Sequence, residues 1–402
     1  MTRRLFAIFL SIALVGMSQG LLVPLLALLL EQRGAGALFN GLSTTVFYLG
    51  FVLASPFIEA SVRRYGTKRT LIGSAWLSLV ATLAFPMWDN PYAWLFFRLV
   101  LGTALSGLFV ATEIWLNRLL TPHNRGRMFA LYGLFIAFGL AIGPLGINLA
   151  DLSLALPFVV SALSYLIPIW LTWRADDQGS YREPSVSETA ATAHVPETGW
   201  QRWWRIFAFA PFAILAAFVY GYLDGAMVGT FPIYGSRIGM DDTAISLALT
   251  IFVGGSIVFQ FPLGYLSDTW GRRKTLITAA GVGAIGFLLL PLLVTTAWLL
   301  LIDLFLIGAA LGSFYSLGLA YMGDRLSSDD ITSANALYIM NYGIGSLLGP
   351  AITGSLIAGV GRNSFAWSIL VMLLVYALFG LFHKAKRESE FLFKNKDKAQ
   401  RM

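Results

Sequence analysis

Four ionisable residues interrupt long apolar stretches of this 402-residue chain, and any chemistry has to be sought there first. Asp224 lies in VYGYLDGAM, Glu113 in LFVATEIWL, Arg98 in LFFRLVLG and Asp303 in LLIDLFLIG. A charge inside an apolar run is costly, so such residues mark routes for ions or substrates, or else find partners. Low-dielectric surroundings favour the neutral form of a carboxyl group, which suits a carrier of protons. Tyr220 precedes Asp224 by four residues and shares its helix face. Asp224 therefore serves either as a proton or substrate group, or as a structural acid bonded to Gln19 or Tyr220. Arg98 and Glu113 belong to one helix but sit about 22 Å apart along its axis, too far to pair. Arg98 instead has Asp303 as a possible partner, a pair that would close one end of the molecule; equally, each can reach water along its own stem.

A second concentration of charge is GYLSDTWGRRKTL, residues 264–276. Gly264 and Gly271 allow close helix approach and a tight turn. Asp268 ends an apolar run and needs a partner, which Arg272, four residues on, can supply; Arg273 and Lys274 follow. A distorted copy, EASVRRYGTKRTL, occupies residues 59–71. There Glu59 replaces the glycine and Arg63 the aspartate, so the two copies are not expected to contribute equally.

Other chemistries are excluded by what the chain lacks. It has no cysteine, hence no disulfide or thiolate metal site. Its three histidines, His123, His194 and His383, fall in expected loops or tails, and no metal is expected. There is no phosphate loop, nucleophile elbow or Walker motif, so neither an enzyme nor an ATP-driven pump is indicated, and no cofactor is expected. WQRWWR at 200–205 interleaves Trp and Arg, which suits a membrane interface rather than stacked bases.

The elements that must hold these residues are helices. The chain is 57% apolar and 12% charged, and its apolar blocks are long enough to cross a bilayer core of roughly 30 Å. The blocks and their breaks predict twelve spans: 5–30, 38–60, 70–88, 93–117, 128–149, 153–174, 206–233, 244–266, 275–293, 297–322, 332–357 and 364–383. With the N-terminus in the cytoplasm, all Lys and Arg except Arg33, Arg98, Arg237 and Arg362 fall on the cytoplasmic side. The net charge of +7 is thus a topology signal and no sign of nucleic acid; the basic tail can also hold anionic lipid. The expected units are residues 1–174, a cytoplasmic linker 175–203, residues 204–384 and a tail 385–402.

Shifting the chain by about 205 residues superposes Gln19-Gly20 on Asp224-Gly225, Gly34 on Gly239, Gly66 on Gly271, and Gly143-Pro144 near Gly349-Pro350. Two six-helix bundles on one plan put a binding site between them near the middle of the membrane. With this architecture, the chain resembles the major facilitator superfamily over nearly its whole length. Gly264, Asp268, Gly271, Arg272 and Arg273 fit that family's loop motif, and Arg98 with Gly102 resembles its fourth-helix motif. GLAIGPLG resembles the fifth-helix antiporter motif through Gly139, Gly143, Pro144 and Gly146, although Ile147 stands where a second glycine is common. GSLLGPAITG, with Gly345, Gly349 and Pro350, echoes it. The run ATEIWLNRLLTPHNRGR is similar to a branch of small bacterial members.

The resemblance implies an all-α membrane protein of twelve transmembrane helices, transporting by alternating access as a monomer in a bacterial inner membrane. It implies that Asp268 and Arg272 latch the cytoplasmic side against the start of helix 5, at Gly126 and Arg127; alternatively they only fix their loop. The expected activity is proton-coupled export of a small amphipathic or hydrophobic molecule, with symport or uniport of a small metabolite, or lipid flipping, as alternatives. The candidate groups are Asp224, Glu113, Arg98, Gln19, Tyr220, Asn341 and Asp303, with Tyr48 and Tyr338 as further hydrogen-bonding side chains. The glycines 139, 143, 345 and 349 are expected to pack helices closely.

Overall fold

No water reaches the core of a bilayer, so a chain crossing it must satisfy its own backbone hydrogen bonds, as helices or as a closed barrel. The computed structural model describes residues 3–119, 125–174, 199–325 and 331–383, and no strand occurs among them. The first half holds α1 (Arg3–Gln32), α2 (Gly36–Tyr65), α3 (Thr67–Ala84), α4 (Pro91–Leu119), α5 (Arg125–Ile142) and α6 (Leu156–Arg174). The second holds α7 (Gly199–Phe209), α8 (Pro211–Gly229), α9 (Phe231–Arg237), α10 (Asp242–Trp270) and α11 (Arg272–Leu293). It continues with α12 (Ala297–Leu311), α13 (Phe314–Gly323), α14 (Ile331–Gly359) and α15 (Ser364–Phe382). His123, His194 and the basic tail lie outside the described residues.

Twelve spans result, with three departures from the predicted ones. The seventh is broken at Thr230 into α8 and α9, and is preceded by a separate amphipathic helix, α7, which begins inside the stretch read as linker. The tenth is broken near Gly312 into α12 and α13. The fifth tightens after α5 into a 3₁₀ segment, Gly143–Asp151, with Pro144 in its first turn. Among the described residues, eleven spans are long and apolar enough to cross a bilayer by length and composition alone. The remaining one, α14, has the length but carries Asn335, Tyr338, Asn341 and Tyr342. Large apolar side chains such as Phe57, Phe96, Phe261 and Leu292 point outward, as a lipid-facing surface requires.

Glycine sets the packing. Each half contains two helix crossings at which a Cβ on glycine would strike the backbone of the facing helix. In α1 and α5, Gly16 and Gly20 face the carbonyls of Ile136 and Leu140, while Gly139 and Gly143 face those of Ala13 and Met17. In α8 and α14, Gly221 and Gly225 face Tyr342 and Ser346, while Gly345 and Gly349 face Phe218 and Tyr222. Likewise Gly50 and Gly102 join α2 to α4, and Gly255 and Gly308 join α10 to α12. The six first-half glycines thus recur in the second half at an offset of 205 or 206 residues. Within lipid, helix association rests on van der Waals contact rather than on apolar burial, so backbone-to-backbone touch is what small residues provide. The turns recur too: Gly66 and Gly271 have φ of 87° and 102°, in the left-handed region that favours glycine.

The halves meet along α2 and α14, where Gly41 touches Pro350 and Gly354 touches Ala37 and Gly41. On the opposite side α10 packs on α5 and on the 3₁₀ segment. Thr45 Oγ1 donates across the α2–α14 seam to the Leu347 carbonyl at 2.8 Å.

The crossings make a direct prediction. Gly139→Ala should destabilise the protein by about 1–3 kcal/mol, because α1 must move back. Gly281→Ala, on a helix position with nothing within 4 Å of its Cβ, should stabilise by up to ~1 kcal/mol. Thermal unfolding in detergent reads both; equal melting temperatures for the two variants would contradict the role given to backbone contact.

Candidate functional site

Asp224 stands midway along the molecule, on α8. Its Oδ2 accepts two tyrosine hydroxyls: Tyr48 of α2 at 3.2 Å and Tyr342 of α14 at 2.8 Å. One donor belongs to each half. Both converge on a single oxygen, so Oδ1 is committed to neither. Around the carboxylate the rings form a cluster. Tyr220 stacks on Tyr342 with centroids 6.0 Å apart, and Tyr315 meets Tyr342 edge-on at 5.5 Å and Tyr338 at 5.0 Å. The Tyr338 hydroxyl donates to the Tyr315 carbonyl at 2.7 Å. Asp224, Tyr48, Tyr220, Tyr315 and Tyr342 are all only part-buried, so the cluster borders accessible space between the halves.

The partners expected for Asp224 are thus corrected. Gln19, its counterpart in the repeat, turns inward within the first half, where its Nε2 lies 3.4 Å from the Tyr165 hydroxyl. Ser18 bonds Ser161 and Tyr165 beside it. Tyr220 contributes its ring and not a hydrogen bond. Asn341 donates to the Leu337 carbonyl of its own helix at 2.8 Å and does not reach the carboxylate.

Arg98 is 1% exposed. Its guanidinium makes two long bonds, 3.4 Å to Thr44 Oγ1 and 3.3 Å to the Val23 carbonyl, and Nε has no acceptor. Thr44 and Tyr48 are one turn apart on α2, so Arg98 lies behind the tyrosine that binds Asp224. Asp303 is 7% exposed, faces α11 at Gly286 and leaves Oδ2 unpaired. The expected Arg98–Asp303 pair does not form. The two residues share a register in the repeat, but one points at α1 and α2 and the other at α11, within separate halves. Glu113 is accessible on α4, in the neighbourhood of Tyr132 of α5 and Tyr315 of α13. It therefore stands between the halves, nearer than Asp224 to the end that carries Gly66 and Gly271.

At that end Asp268 Oδ1 lies 3.5 Å from Arg272 Nη2, the expected pair four residues apart. Arg272 Nε also binds Asp324 Oδ2 at 2.9 Å, and Arg273 donates to the Gly380 carbonyl. The motif thus ties together α10, α11, the end of α13 and α15, all in the second half. Gly271 makes the turn, but Gly264 has nothing within 4 Å of its Cβ and serves no close approach. The side chains of Glu59, Arg63, Gly126 and Arg127 lie outside the described ones.

The opposite end bears contacts between halves that sequence reasoning passed over. Arg237 Nε binds Glu31 Oε1 at 2.7 Å, Gln32 Nε2 donates to Asp242 Oδ2 at 3.2 Å, and Thr243 Oγ1 to Asn148 Oδ1 at 3.1 Å. Tyr342 was also overlooked, although it shares a helix stripe with Gly345 and Gly349, at spacings of three and four. No group of residues able to hold a metal occurs among the described residues.

This architecture has known relatives. The profile of the Major Facilitator Superfamily matches residues 8–243 and again 213–400. The MFS-type transporter YfkF of Bacillus subtilis is 33% identical over 353 residues, 87% of each chain. YcaD of Salmonella newport, another MFS-type transporter, is 22% identical over 94% of this chain and 95% of its own. Among solved structures, the nucleoside transporter NupG superposes with a TM-score of 0.70 at 14% identity, covering 96% of this chain and all of that one. A bacterial homologue of the lysosomal transporter Spinster, in an inward-facing, unoccupied conformation, gives 0.72 at 17% identity, over 94% and 95%. With two six-helix halves, a shared acid between them and a profile that matches each half in turn, the chain belongs to the Major Facilitator Superfamily of membrane transporters.

Proposed function

We propose that this transporter works by alternating access and couples the export of a small amphipathic or hydrophobic molecule to the entry of protons, as a monomer in a bacterial inner membrane with both termini in the cytoplasm. One observation carries the reading: a single carboxylate oxygen accepts hydroxyls from both halves at once. An ionised Asp224 accepts both bonds and draws α2 of the first half toward α8 and α14 of the second. A proton on Asp224 removes the charge that strengthens those bonds and loosens the contact between halves. Protonation and relative tilt are then linked, and linkage is what coupling requires. Arg98, behind Tyr48, supplies a fixed positive charge that favours the ionised state of this site. Glu113, nearer the basic end, is the second proton or substrate group.

The rest of the cluster suits the proposed cargo. Tyr220, Tyr315 and Tyr342, all part-buried, present rings and hydroxyls together, the combination that recognises a molecule with one apolar and one polar face, with the buried Tyr338 bracing Tyr315 from behind. Asp268 and Arg272 act as the cytoplasmic latch in the alternative conformation. The contacts at the Glu31–Arg237 end correspond to a state closed toward the outside.

In proteoliposomes with an imposed pH gradient, Asp224→Asn should abolish gradient-driven transport while leaving exchange of substrate without net proton movement, and Glu113→Gln should reduce it. Wild-type flux that ignores the gradient would remove proton coupling and leave a uniporter. Separately, Asp268→Asn should slow transport severalfold with yield and melting temperature unchanged, since the residue is exposed and its loss leaves Arg272 paired with Asp324. Unaltered rates in that variant would reduce the motif to a loop support.

A further inference from the structure

The Glu31–Arg237 pair has no part in the proton site, yet it is the shortest ion pair between the halves among the described residues. It joins the last turn of α1 to the end of α9 at 2.7 Å, with the Glu31 side chain 15% and the Arg237 side chain 32% exposed. Arg237 is braced within its own half. Its Nη1 lies 3.5 Å from the Ile357 carbonyl, and its carbonyl accepts Arg362 Nη1 at 2.9 Å. The α9 segment behind it is packed hard into the second half: Phe231, Ile233 and Tyr234 are buried, and Tyr234 stacks on Phe365 at 5.2 Å. Arg237 is therefore a rigid arm of one half gripping a carboxylate of the other.

The repeat explains why this pair attracts. At an offset of 205, Gln32 corresponds to Arg237 and Glu31 to Ser236. Equivalent segments from the two halves meet about the pseudo-twofold axis, where identical residues would give no net attraction. An acid on one copy and a base on the other does.

We propose that Glu31 and Arg237 form an ionic lock that holds the outer ends of the two halves together, and that its rupture is required before this end opens. The lock depends on the halves separating there, but not on proton coupling or on the identity of the cargo.

The two partners are not equivalent. Glu31 Oε2 is buried without a partner, so losing Arg237 strands a carboxylate where water is scarce. Losing the charge on Glu31 leaves Arg237 with the Ile357 carbonyl. Arg237→Gln should therefore open the outer end more than Glu31→Gln.

The chain has no cysteine, so a spin-label pair is easily introduced at exposed outer positions, Met87→Cys in the first half and Val360→Cys in the second. Pulsed electron–electron distances on the purified full chain, without substrate, report the opening directly. The long-distance population should rise severalfold in Arg237→Gln and less in Glu31→Gln. It should return to the wild-type distribution in the charge-swapped Glu31→Arg, Arg237→Glu double variant. Wild-type distributions in both single variants would overturn the lock. So would a double variant as open as the singles, which would make the effect one of lost packing. Should Arg237→Gln not fold, Glu31→Gln together with the double variant still decides.

Discussion

Backbone contact at glycine is the constraint from which the rest of this molecule follows. In water, two apolar helices are driven together because the solvent rejects them; in lipid that drive is absent, and association depends on how closely surfaces can touch. Six glycines of the first half, and their counterparts 205 or 206 residues on, let helix backbones meet directly. Each half thereby becomes a stiff unit built on two tight crossings. Stiff halves would leave the boundary between them as the place for any large motion, and Asp224, with its two tyrosine donors, and the Glu31–Arg237 pair are found there.

At that boundary the polar groups fall into levels. Glu113 lies toward the end that carries Gly66 and Gly271, Asp224 and its tyrosines lie in the middle, and Glu31, Gln32, Arg237 and Asp242 lie at the far end. A charge placed in the middle meets a low dielectric, where each hydrogen bond matters more than it would in water. Asp224 answers this with two hydroxyls, whereas Arg98 and Asp303 leave atoms unpaired.

Much of this was legible in the sequence. Apolar blocks gave the spans, the distribution of Lys and Arg gave an expected sidedness, and the offset repeat gave two halves. Asp224, Glu113 and Arg98 stood out because charge in an apolar run is rare. What could not be read was direction around the helix axis. Arg98 and Asp303 share a register, so their pairing was a fair expectation, but register does not fix which neighbour a side chain faces. Gln19, one of the two partners offered for Asp224 as a structural acid, instead turns to Tyr165. Helix breaks were missed at Thr230 and Gly312 because both lie within continuous apolar stretches, where periodicity carries no mark of a change in backbone. Glu31 escaped notice because an acid at the end of a span looks like ordinary solvation, and only the meeting of α1 with α9 gives it a partner.

The two seams between the halves are unlike. Along α2 and α14, glycine and proline backbones abut at Gly41, Pro350 and Gly354. Across from them, α10 faces a run of nine residues in the tighter, weaker 3₁₀ form, Gly143–Asp151. A hinged door behaves this way: one edge is pinned by its jamb while the other travels. Under the proposed alternating access, such a swing would be lopsided: the larger displacement would fall on the side of the 3₁₀ segment, and the aperture would form off-centre, along the flank of α10.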